Sequence, residues 1–150
     1  MIARDSIAER EEEIVETFAL FDDWMGRYEY LIELGRALPL IEDAYKTDAY
    51  LIHGCQSQVW LRAWSEGGVV RFKADSDAMI TKGLIALLIR VLDAQPPQAI
   101  LNADLSFLDR IDMNEHLSPT RKNGLGAMVK QMKMYALALF KKEASRTGNG

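Results

Sequence analysis

Cysteine occurs once in the 150 residues, at Cys55, and histidine only at His53 and His116. One cysteine cannot close a disulfide within the chain or by itself build a cysteine-type metal site. It points instead to a reducing compartment or to a thiol kept for its reactivity. Two histidines and one cysteine, two of them far apart in sequence, are a weak metal signal; His53 reads as an exposed or hydrogen-bonded strand residue. No apolar run approaches the ~20 residues that span a bilayer, and the longest, GLIALLIRVL, carries Arg90. There is no surplus of positive charge: 18 Lys and Arg stand against 22 Asp and Glu, for a net charge of -4. The basic residues are dispersed, which disfavours binding to a phosphate backbone. The N-terminal stretch lacks the apolar centre of a signal peptide, and Glu11-Glu12-Glu13 argues against a transit peptide, so the expected location is cytoplasmic. Neither internal repeats nor low-complexity segments occur.

What is present fits one domain over 1–150, a length that buries roughly 70% of the surface its unfolded chain exposes. Ser6 and Glu9 form a capping-box pattern, followed at helical spacing by Ile14, Phe18, Phe21 and Met25. A second helix carries Tyr28, Leu31, Leu34 and Leu38 on one stripe and stops at Pro39. From Val59 the pattern alternates, breaks at Gly67-Gly68 and resumes at Val69, which predicts a hairpin. A short strand from Tyr50 to His53 would complete a three-stranded antiparallel sheet, with the GCQS loop joining two of its strands. Trp60, Trp64 and Phe72 are expected in the core. Next comes a central buried helix over Met79–Val91, capped by Ser76 or Asp77 and ending before Pro96-Pro97. Short helical stretches lie between Gln98 and Met113. Ser118-Pro119 opens a long last helix bearing Leu125, Met128, Val129, Met132, Ala136, Leu139 and Phe140 on one face. A tail at about 146–150 is expected to be disordered. The fold class is α+β.

A lone cysteine is ordinarily a small buried hydrophobe, but the neighbours of Cys55 argue for chemistry. Gly54 permits backbone angles closed to other residues and a close approach by another chain. Gln56, Ser57 and Gln58 supply donors able to hydrogen-bond a thiolate. Apolar Ile52, Val59 and Trp60, together with the faces of the flanking helices, would give the thiol a dry pocket. Two other readings of the same residues stay open: a cysteine hydrolase with Cys55 as nucleophile and His116 as base, and a scaffold holding zinc or a cluster. Asp75-Ser76-Asp77 suits a helix N-terminus. Arg121, near the positive end of the last helix, hints at an anionic partner.

Four words, YLIELGRALP, GCQSQVWL, DSDAMITKGLIALL and HLSPTRKNGLGAM, stand in this order between Tyr30 and Met128. In them the chain resembles the SufE family of sulfur-acceptor proteins. The resemblance implies an α+β fold like that of IscU-type scaffolds and places the acceptor cysteine at Cys55. It implies a non-enzymatic role: activating a SufS-type, PLP-dependent cysteine desulfurase, taking its persulfide sulfur and passing it to downstream Suf scaffold proteins for iron-sulfur cluster assembly. On this reading the chain needs no cofactor or metal of its own, since PLP belongs to the partner, and it binds neither nucleic acid nor membrane. The start of the helix at Asp77, together with Arg121, is implied as a docking position.

Overall fold

The structure, a computed structural model, describes residues 5–148, with side chains as far as Ser145. Helix α1 (Ile7–Phe18) begins with the reciprocal cap legible in the sequence: the Ser6 hydroxyl accepts the Glu9 N–H at 3.1 Å and the Glu9 carboxylate accepts the Ser6 N–H at 3.2 Å. Its buried stripe is Ile7, Ile14 and Phe18. The stripe does not continue through Phe21 and Met25 as the spacing predicts. Asp23 caps a new helix, α2 (Trp24–Arg36), by accepting the Gly26 N–H at 2.9 Å, and Met25 is left 72% exposed. Two N-terminal helices form as expected, but a capping acid inside the apolar period ends the first stripe at Phe18.

Helix α2 packs on α3 (Met79–Leu92), the buried centre of the molecule, in which Leu84, Ile85, Leu87, Leu88, Val91 and Leu92 are at most 1% exposed. The crossing is close because both helices present glycine there: a methyl on Gly83 would overlap the Leu31 carbonyl, and one on Gly35 would press on the Gly83 backbone.

Strands β1 (Val59–Glu66) and β2 (Val69–Ser76) form an antiparallel hairpin in which Leu61 faces Ala74 and Ala63 faces Phe72. Gly67 and Gly68 turn it with φ of +59° and +83°, the pair of positive angles that a tight two-residue turn requires. Val59, Leu61, Val70, Phe72 and Ala74 enter the core. Trp60 and Trp64, expected there too, fall on the opposite face because strand side chains alternate. They lie half-buried beneath cations, Lys46 over Trp60 and Arg62 over Trp64.

The sheet has two strands among the described residues, not three. Tyr50 closes a 3-10 turn by donating to the Thr47 carbonyl at 3.0 Å, and the chain bends away again at Gly54. Between these bends only Leu51 bridges to Trp60, and the Ile52 N–H reaches the Val59 carbonyl at 2.8 Å.

Helices α4 (Pro97–Asn102), α5 (Phe107–Arg110) and α6 (Met113–His116) supply Ile100, Phe107 and Met113 to the core. The last helix, α7 (Pro119–Gly148), starts where the Ser118 hydroxyl accepts the Arg121 N–H at 3.3 Å and buries Leu125, Met128, Met132 and Ala136. Of the tail expected at 146–150, residues 149 and 150 lie outside the described residues, as do the side chains of 146–148. No helix of the described residues is long and apolar enough to cross a membrane.

Candidate functional site

Cys55 sits on the connection between the Leu51 bridge and β1, and that connection is fixed at both ends. On the near side is the Ile52–Val59 hydrogen bond. On the far side both main-chain groups of Gln58 are held by the end of β2. The Gln58 N–H donates to the Asp77 carboxylate at 3.0 Å, while the Gln58 carbonyl accepts from the Ser76 hydroxyl at 2.8 Å and from the Asp77 N–H at 3.3 Å. Asp77 is therefore a clamp on the loop rather than the side-chain cap expected for α3. The N-cap position falls on Ala78, which makes no side-chain bond. The Gln58 N–H, expected among the donors to a thiolate, is committed to Asp77.

Between the two anchors the loop leans on α7, and small residues make this possible. Gly54 has φ +97°, and a β-carbon there would lie 3.3 Å from that of Ala127. Gly124 is buried with Cys55 directly over it: a β-carbon on Gly124 would stand 3.5 Å from the Cys55 sulfur. The glycine and alanine of the NGLGAM stretch thus form a shallow seat for residues 54 and 55. The thiol donates to the Gly124 carbonyl at 3.5 Å.

Beside the sulfur is a cavity of about 80 Å³. Leu84 of α3 and Met128 of α7, each 1% exposed, form its apolar wall. Thr81 and Gly124 add buried lining, and Gln56, Ser57, Thr120 and Arg121 complete it from the more open side. Of the expected shelter, the helix faces are there, from α3 and α7, whereas Ile52, Val59 and Trp60 do not line the cavity. Burial pushes the Cys55 thiol above its ordinary value. The resting group is therefore largely protonated at neutral pH, in keeping with its role as donor to Gly124.

Of the residues singled out from the sequence, Cys55, Gln56, Ser57 and Arg121 meet at this cavity. Gly54 shapes the loop, and Gln58 and Asp77 anchor it. His53 is exposed. His116 stacks on Trp24 with ring centroids 3.8 Å apart, and no imidazole lines the cavity, so a Cys55–His116 pair is not assembled. Among the described residues, no group of three or more His, Cys, Asp or Glu is placed to hold a metal ion. Sequence reasoning missed Thr81, Leu84, Thr120, Gly124 and Met128. Only Thr81 left a signal, a hydroxyl three residues before Leu84 on the buried side of an apolar helix.

A second cluster braces the same region. Asp75, 8% exposed, receives Lys46 at 2.7 Å and Lys82 at 3.2 Å, and its carboxylate accepts the Ser76 N–H at 2.8 Å. Burial pushes this carboxyl up, but hydrogen bonds from Lys46, Ser76 and Lys82 outweigh it and hold the group below the usual carboxylate range.

Fold and site together define an α+β protein whose single thiol is presented by an anchored loop above a small cavity. Residues 12–136 match the family model described as SufE, Fe-S metabolism associated domain, and the chain belongs to that family. Its fold is also that of a solution structure of a hypothetical protein from Thermus thermophilus. That structure is 22% identical, with a TM-score of 0.74 over 88% of this chain and 96% of the other.

Proposed function

We propose that this protein is a sulfur carrier and activator for a SufS-type, PLP-dependent cysteine desulfurase, with Cys55 as the acceptor, and that it passes the sulfur to downstream Suf scaffold proteins. The observation that carries the reading is the placement of the only cysteine. Cys55 lies on a loop tied down at both ends, touching α7 through one weak hydrogen bond, beside a cavity able to take an added atom. Membership of a family associated with iron-sulfur metabolism supports it.

The transfer balances without an external oxidant or reductant. The Cys55 sulfur, having lost its proton, attacks the terminal sulfur of the partner's persulfide. A new S–S bond forms at Cys55, the partner's S–S bond breaks, and the partner leaves as a thiolate that takes up a proton. One sulfane sulfur has changed owner, and two thiol-level groups have exchanged roles. PLP stays with the partner, and this chain supplies only the thiol and its setting, in the cytoplasm.

The resting position makes the thiol a poor nucleophile, since burial keeps it protonated and limits approach. Reaction therefore requires the tip of the loop, residues 54 to 57, to leave α7 while its anchors hold. Partner binding supplies the energy for that shift by contacting the exposed form better than the inward one. Arg121 and the Asp77 region flank this path and are the proposed docking positions. A Cys55→Ser variant tests the reading: it should fold as the wild type does and give no stimulation of the desulfurase. Full stimulation by the folded variant would refute the acceptor mechanism.

A further inference from the structure

Thr81 is 7% exposed and lines the Cys55 cavity. Threonine within a helix commonly returns its hydroxyl to the carbonyl one turn back, as Thr17 does to Glu13 at 2.8 Å. Thr81 does not. No hydrogen bond to its hydroxyl occurs among the described residues, and Thr81 is one of the residues that line the cavity. A hydroxyl on so largely buried a side chain is unfavourable unless something in the cavity meets it. On the buried face of α3, among Leu84, Ile85, Leu87 and Leu88, valine would fit the same space without that cost.

The thiol's hydrogen bond poses the complementary question. Cys55 donates its S–H proton to the Gly124 carbonyl. Once a sulfur is added, the Cys55 Sγ carries an S–S bond in place of S–H and can no longer donate. The new terminal sulfur must lie within about one bond length of Sγ, and the space beside Sγ is the 80 Å³ cavity, ample for an atom slightly larger than a water oxygen. Leu84 and Met128 make its inner wall apolar, and Gln56, Ser57, Thr120 and Arg121 lie on the more open side. On the buried side Thr81 is therefore the side chain that can donate to a terminal sulfur that has lost its proton.

We infer that Thr81 is a positioning residue for the loaded carrier: its hydroxyl donates to the terminal sulfur of the Cys55 persulfide and holds it in the cavity between transfers. The inference rests on the acceptor reading of Cys55 and adds to it a residue that acts only after loading. In the unloaded protein the Thr81 hydroxyl bonds to no described residue. Removing its hydroxyl therefore leaves the free thiol as it was and shortens the life of the persulfide.

The full-length protein, with Thr81→Val and Thr81→Ser variants, is loaded by a cysteine desulfurase and L-cysteine and freed of the partner. Loss of the added sulfur to dithiothreitol is then followed by mass spectrometry. The rate of alkylation of the unloaded thiol is measured in parallel as a check on the loop. Thr81→Val should lose sulfur about fivefold faster than wild type, the worth of one ordinary hydrogen bond, with the alkylation rate of the unloaded thiol unchanged. Thr81→Ser, which keeps the hydroxyl, should retain sulfur as the wild type does. Equal lifetimes for wild type and Thr81→Val would overturn the inference and leave the acceptor reading standing. So would a Thr81→Val variant that speeds sulfur loss and alkylation of the unloaded thiol by the same factor, since that reports a loosened loop. If the wild type takes up no sulfur at all, the acceptor reading fails and the inference falls with it.

Discussion

The Cys55 thiol and the Gly124 carbonyl, 69 positions apart in the chain, are joined at 3.5 Å. A β-carbon at 124 would already stand in van der Waals contact with the sulfur at 3.5 Å, so the seat has room for a methyl but not for a branched side chain that reaches on toward the thiol. Replacing Gly124 with leucine should therefore force Cys55 outward. Alkylation of the thiol by iodoacetamide should become at least several-fold faster than in wild type, with the fold retained. An unchanged rate would show that the loop does not use this seat.

The pH dependence of the same reaction follows from burial. Cys55 is pushed up, so its alkylation rate should climb with pH to a midpoint above the ordinary cysteine value of about 8.5. The sign for stability is set by the same shift. Folding favours the neutral thiol, so its contribution is complete below the unfolded value and is lost as pH rises through the folded one. A midpoint below that of a free cysteine would mean that a donor or cation at the site outweighs burial.

Asp77 holds the far anchor of the loop. Asp77→Ala removes the acceptor of the Gln58 N–H and should raise the alkylation rate of Cys55 about three- to tenfold, the range expected for one hydrogen bond to a charged group that is partly exposed. Hydrogen exchange at Gln58 should quicken in step. If neither changes, the anchor lies elsewhere.

Two glycines in helices should respond with opposite signs to the same substitution. Gly83→Ala sets a methyl against the Leu31 carbonyl and should cost about 1–3 kcal/mol, as overpacking does, seen as a lower denaturant midpoint. Gly126→Ala meets nothing within 4 Å and should stabilise α7 by about 0.5–1 kcal/mol. Equal responses would contradict the close crossing of α2 and α3.

Asp75→Asn leaves Lys46 and Lys82 without their shared carboxylate and should destabilise the fold by about 1–3 kcal/mol at neutral pH. Because the folded carboxyl is held low, the wild type keeps this contribution above the unfolded value of about 3.9 and loses it as pH falls through the folded one. Wild type and variant should therefore converge in strong acid. A constant gap down to the lowest pH would place the effect outside the carboxylate.

Much of this architecture can be read directly from local chemistry. The Ser6–Glu9 cap, the Gly67-Gly68 turn and the Ser118 start of α7 each depend on neighbours within four positions, and each forms as the residues suggest. The loop bearing Cys55 was legible for the same reason. What was not legible depends on the tertiary fold. Asp77 looks like a helix cap until β1 and β2 pair and bring Gln58 beside it. Tyr50–His53 was expected as a short strand, but the 3-10 turn at its start and the bend at Gly54 leave only Leu51 to bridge. The walls of the cavity come from α3 and α7, so the residues adjacent to Cys55 in sequence gave no sign of Leu84 or Met128.

The most direct test of the central claim is the mass of the protein after incubation with a SufS-type desulfurase and L-cysteine. One or more sulfur atoms should be gained, mapped by peptide analysis to Cys55 and removed by dithiothreitol. Sulfur found on any other residue, or no gain in mass while the desulfurase turns over, would contradict the account.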